Sequence, residues 1–178
     1  MEWLRKILPG NSRRTEKEAV SSLYKSILGR ARNPGVFGDL GFADTMDGRT
    51  GALAIYAGLV TTRLTGISAE GRAVSSRLTD RIFDDIDAGL RETGVGDASI
   101  ARKVRTIGER FVGLGIAVNE AFLTPDPKTS IEDILERNDL TGGAGTANAA
   151  GDIVEARRIL DAQPDGALLS GRLDWQPL

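Results

Sequence analysis

The chain has 178 residues, 40% of them hydrophobic and 27% charged, with a net charge of −2. That is ordinary for one folded soluble domain with enough chain to bury a substantial core. It has no cysteine and no histidine. Disulfides, thiolate chemistry, the commonest metal ligand and the usual general base are therefore excluded together. An enzyme built from this chain would have to run on carboxylates, Lys, Arg or Tyr.

Charge is unevenly distributed. Residues 1–32 carry eight Lys and Arg against three Glu, a surplus of five positive charges, which leaves −7 on the rest. Arg13, Arg14, Lys17 and Lys25 form a basic surface that reads in two ways. It is either a contact for a polyanion (lipid headgroups or RNA phosphate) or a solvated helix face. No DNA partner, metal or cofactor is expected. The opening residues, MEWLRKILPG, are too short and too charged for a signal peptide, and no apolar run approaches a membrane span. The expectation is a cytoplasmic protein.

In chain order, residues 1–11 hold a short amphipathic piece (Trp3, Leu4, Ile7, Leu8) stopped by Pro9-Gly10. A first helix runs from Ser12 or Thr15 to Gly29, with Val20, Leu23, Tyr24, Ile27 and Leu28 as its apolar stripe. Next comes Ala31 to Arg49, a stretch without helical rhythm. Four glycines and a proline lie there among the hydrophobic anchors Val36, Phe37, Leu40 and Phe42. An unperiodic connection of this length is uncommon in a compact domain and is often functional.

The residues Asp44 to Asp47 have capping-box spacing. Asp47 is expected to accept backbone N–H bonds at the helix start, Gly48 to permit close packing, and Arg49 to reach back to Asp39 or Asp44. The helix that follows, TGALAIYAGLVTTRL, is apolar almost all round, as a central buried helix should be. A third helix starts at Ser68-Ala69-Glu70, with Val74, Leu78, Ile82, Ile86 and Leu90 every four residues. Gly94-Val95-Gly96-Asp97 makes a turn into a fourth helix, about Ala98 to Leu123. Its stripe is Ile100, Val104, Ile107, Phe111, Leu114, Val118 and Phe122, and its first half is basic.

After Pro125-Asp126-Pro127, Ser130 can cap a short helix to about Asn138. Residues 141–146 read as a flexible loop. Gly142-Gly143-Ala144-Gly145 lacks both the Lys-Ser/Thr and the preceding strand of a phosphate loop. A last helix spans about Ala147 to Ala162. The irregular tail is pinned by Leu168, Leu169, Leu173 and Trp175. The fold class is all-α: one compact domain of five to six helices, with a long ordered loop between the first two. Residues 12–140 form its body, and 141–178 a C-terminal helix and tail packed on it.

Asp84, Asp85 and Asp87 read as ion-pair partners of Arg77, Arg81 or Arg91 rather than as a metal site, because the helix points Asp85 away from the other two. A small-molecule enzyme or carrier using Asp47, Arg49, Asp84 and Asp85 would need a closed polar pocket of convergent acids. A structural adaptor is a third reading.

In order and spacing, a set of these residues resembles the ubiquinol–cytochrome c chaperone family. They are Leu23-Tyr24, Arg32-Asn33-Pro34, Phe37, Leu40-Gly41, Asp44-Thr45, Asp47-Gly48-Arg49, Leu59-Val60, Arg63-Leu64, Phe83-Asp84-Asp85, Leu90-Arg91-Glu92, Gly94-Val95-Gly96-Asp97 and Gly171-Arg172-Leu173. The likeness is good over residues 20–123 and looser beyond. Thr50 stands where relatives tend to carry an aromatic, and Ile55-Tyr56 where many have Leu-His. What the resemblance implies is a non-enzymatic assembly factor that binds a nascent or immature membrane protein of cytochrome b type, at a ribosome or on the cytosolic face of an inner membrane, with a small partner protein. Val36, Phe37, Leu40, Phe42 and Met46 are the candidates for the client surface, with Asp44, Asp47, Gly48 and Arg49 as the structural motif beside it.

Overall fold

In the computed structural model the described residues are 9–38, 41–92, 97–142 and 145–176. Side chains are described from Thr15 onward in the first helix and from Arg102 onward in the fourth. The N-terminal piece 1–8, Leu40, the turn 93–96 and the side chains of Arg13, Arg14 and Ile100 lie outside them. Seven helices are present among the described residues: α1 (Pro9–Ala31), α2 (Met46–Ile67), α3 (Ala69–Glu92), α4 (Asp97–Ala121), α5 (Pro127–Arg137), α6 (Gly145–Ala162) and α7 (Asp165–Leu169).

The centre is α2, which packs against α1, α3, α4, α6 and α7. Its sequence explains the position. Small and branched residues alternate round the whole helix, and Ala52, Ile55, Tyr56, Leu59, Val60 and Leu64 are fully buried. A helix apolar on every side is stable only when neighbours cover it on most sides. The stripes expected on α1, α3 and α4 face inward onto it: Leu23 and Ile27, Leu78 and Ile82, Leu114 and Val118 are all core residues.

Several boundaries differ from expectation for local reasons. Pro9 and Gly10 are the first residues of α1, where a proline costs nothing because the first N–H groups of a helix have no partner. Thr45, not Asp47, caps α2. Its hydroxyl accepts from the Gly48 N–H at 3.1 Å, and Asp47 lies inside the first turn. Asp126, not Ser130, caps α5 by accepting from the Thr129 N–H at 3.2 Å. Pro127 follows at the first helical position. These bonds to Thr129, side chain first, hold the Asp126 carboxyl below the usual range. The expected irregular tail contains the short helix α7.

The 31–49 connection is ordered where it is described. A 3-10 turn, Pro34–Val36, is capped by the Asn33 side chain. The chain then reverses through Gly38, whose φ of +88° favours glycine. Phe42 returns to bond Val36 (N–H to carbonyl, 2.8 Å) and Gly38 (carbonyl from N–H, 2.9 Å). Ala43 donates to the Leu140 carbonyl at 2.9 Å, and Phe42 bridges to Thr141. At Thr141 and Gly145, therefore, the expected flexible loop is part of a packed junction. Gly145 is buried so close to Gly41 that a Cβ there would collide with Gly41 backbone.

Candidate functional site

One face of α2 borders a surface groove, with Asp47, Thr62 and Thr65 exposed and Gly51, Ala54 and Ala57 buried as its floor. Asp47, Thr50, Gly51, Ala54, Ala57, Gly58, Thr61, Thr62 and Thr65 follow helical spacing. They line two adjoining depressions of about 100 and 340 Å³ that share Ala54 and Phe111. The opposite wall is α4, from Ile107 to Ile116, with α3 closing the far end through Ser75, Thr79 and Ile82.

The seam exists because α2 and α4 meet through glycine. A Cβ on Gly58 would stand 2.7 Å from the Gly115 Cα. Close contact at that point leaves small residues as the floor on either side of it.

Four large hydrophobic residues are exposed among the described ones: Met46 (78%), Val112 (46%), Ile116 (53%) and Leu123 (86%). Three of them, Met46, Val112 and Ile116, line the seam. Its hydroxyls make little demand on water. Thr61 donates to the Ala57 carbonyl at 2.9 Å, Thr65 to Thr61 at 2.8 Å, Ser75 to Thr61 at 3.1 Å and Thr79 to Ser75 at 3.0 Å. A wall whose polar protons are already used inside the protein can be covered by an apolar surface at small cost.

The charges at the Met46 end are paired. Arg110 binds Asp47 at 2.9 Å and the Asn138 carbonyl at 3.1 Å. Arg49 binds Asp44, as expected, at 2.6 Å, and its guanidinium lies 5.3 Å from the centre of the Phe37 ring. Gly48 is buried against the Ala43 carbonyl, leaving no space for a Cβ. Asp85 pairs with Arg81 at 2.9 Å and accepts from the Tyr24 hydroxyl at 2.6 Å, and Asp87 pairs with Arg91 at 2.7 Å. These acids are thus distributed over separate pairs. No group of three carboxylates suited to a metal is present among the described residues.

The sequence-derived client set is divided by the fold. Phe42 (0% exposed) and Val36 (7%) sit in the core, and Phe37 is half-buried against Phe42. Met46 alone of the described members is exposed, and it lies on the seam. Val112 and Ile116 were not singled out by sequence. Their only signal is that α4 carries more apolar residues than one stripe can hold. Lys17 and Lys25 are exposed on α1.

An all-helical domain with three of its four exposed large apolar side chains, among the described residues, on one groove has the form of a protein-binding module. The family comparison agrees with that class: the model of the ubiquinol-cytochrome C chaperone family matches residues 38–175, and the chain belongs to this family. The fold is similar to the crystal structure of the Cbp3 homolog from Brucella abortus, with a TM-score of 0.78 and 22% identity over 93% of each chain. No match was found among curated proteins. No described helix is long and apolar enough to cross a membrane.

Proposed function

We propose that the protein is a non-enzymatic chaperone that holds a newly made cytochrome b–type subunit during biogenesis of ubiquinol–cytochrome c reductase, with the α2–α4 seam as its client surface. The observation that carries this reading is the clustering of Met46, Val112 and Ile116 on one groove. The groove also has the right length. From Met46 to Thr65 the axis of α2 rises about 28 Å, close to the ~30 Å of an apolar membrane helix. A client segment that has left the ribosome and not yet reached lipid needs such a temporary cover. In this reading Phe37, Phe42 and Val36 shape and support the Met46 end instead of touching the client. Arg13, Arg14, Lys17 and Lys25 bias the protein towards an anionic membrane or ribosomal surface at the cytosolic face, and a small partner protein completes the assembly.

The test is a double substitution, Val112→Asp with Ile116→Asp, in the host. Both side chains are about half exposed, so the melting temperature should fall only modestly. Assembled reductase and its haem content should fall several-fold. Normal assembly by a folded double variant would remove the seam from the mechanism.

A further inference from the structure

After α7 the chain continues as an irregular strap, residues 170–176, across α1 and the end of α6. It belongs to no helix or strand. Gln163, which is buried, reads the backbone of Asp174 on both sides: its Nε2 donates to the carbonyl at 2.7 Å and its Oε1 accepts from the N–H at 3.0 Å. Ser26 supplies the other pair. Its hydroxyl donates to the Leu173 carbonyl at 3.0 Å, and its own carbonyl accepts from the Trp175 ring N–H at 3.1 Å. All four bonds can break together without breaking any helix.

The Trp175 ring covers a polar cluster inside the protein. It packs edge-on to Tyr56, 5.9 Å between centroids, and the Arg30 guanidinium lies 5.9 Å from its centre. Arg30 and Tyr56 both bond Asp152. Burial, and then the Asp152 charge, push the Tyr56 phenol well above its ordinary value. The Arg30 Nε is buried without a hydrogen-bond partner. From Tyr56 the rings continue outward to Phe42 at 6.5 Å and to Phe37 at 6.3 Å. Phe37 and Phe42 are the two aromatic anchors of the connection into α2.

We propose that the strap is a conformational latch: seated, it fixes Arg30 and Tyr56 and thereby orders the junction that Val36, Phe37 and Gly38 make with Phe42 and Ala43; lifted, it loosens that junction while the helices persist. The latch stands on this geometry alone. Its consequence, control of the Met46 end of the seam, rests on the client reading.

Hydrogen exchange of the full chain tests it, in the wild type and in the variants Trp175→Ala, Gln163→Ala and Trp175→Phe. The amides to follow are those of Gly38, Phe42 and Ala43, each bonded across the junction. With Trp175→Ala and with Gln163→Ala, the strap amides and these three should exchange faster by about tenfold or more, with α5 unchanged. Trp175→Phe keeps the ring on Tyr56 and should leave the junction amides near their wild-type rates. Gln163→Ala removes no aromatic side chain, so it carries the test should Trp175→Ala fail to fold. Faster strap exchange with an unchanged junction would overturn the proposal. So would a uniform increase across all helices, which would mean general destabilisation.

Discussion

Gly48 shows how a single atom can set the geometry of the functional end. Its neighbours are fixed: Thr45 caps the helix through the Gly48 N–H, and the Ala43 carbonyl occupies the space a Cβ would need. Gly48→Ala should therefore cost about 2 kcal/mol or more, despite alanine's better helix propensity, because backbone must move. Chemical denaturation would read this as a lower midpoint. The second residue-scale prediction concerns pH. Burial, and then the bond to Asp85, push the Tyr24 phenol from 10.0 up to about 12. A raised folded value means that Tyr24 contributes stability fully below pH ~10, and that this is lost as pH rises towards ~12. Tyr56 acts in the same direction. With no histidine in the chain, no side chain with an ordinary value near neutrality adds a step there. Stability should fall in the alkaline window, and Tyr24→Phe should flatten part of that fall in urea melts run from pH 8 to 12. At this scale the Asp44–Arg49 pair and the tight packing of Gly48 were legible from spacing. The role of Asp47 was not, because its partner Arg110 is 63 residues away and sequence spacing carries no such information.

At the scale of elements, the α2–α4 crossing makes an asymmetric prediction. A Cβ on Gly58 would meet the Gly115 Cα at 2.7 Å, whereas one on Gly115 would meet the Gly58 Cα at 3.3 Å and the Ala54 carbonyl at 3.5 Å. Gly58→Ala should destabilise by about 1–3 kcal/mol through overpacking. Gly115→Ala should be near neutral, since its tighter contact is offset by up to about 1 kcal/mol of helix propensity. Paired thermal melts of the two variants would check the ordering; equal losses would contradict the crossing geometry. The existence of the six longer helices was readable, because stripes such as Val74, Leu78 and Ile82 repeat at helical spacing, whereas the five-residue α7 is too short to show a period. Ends were harder to read. Asp126 and Ser130 both have capping chemistry, and the choice between them is made by the fold of the preceding turn, where Ser130 instead meets Thr124 at 2.9 Å. Gly145 read as part of a linker because its tertiary contact, Gly41, is 104 residues away and spacing carries no sign of it.

For the whole molecule, what was legible is that α2 is central and that the 31–49 connection anchors it. What was not legible is which apolar face would be left uncovered. Periodicity shows that Val112 and Ile116 lie off the main stripe of α4. It cannot show that no neighbouring helix covers them, because that depends on the α2–α4 crossing and the placement of α3. The same limit put Phe42 among the surface candidates, although it is the centre of the junction between the connection and Thr141. The functional surface thus moves from the connection to the seam that the connection supports, with Met46 as their common point.

The most direct measurement is crosslinking in living host cells from a photoreactive residue placed at Val112, with the same residue at the exposed position Arg158 on α6 as control. The expected result is capture of a cytochrome b–type subunit from position 112 and not from 158. Equal capture from both positions, or capture from 158 alone, would contradict the seam as the client surface.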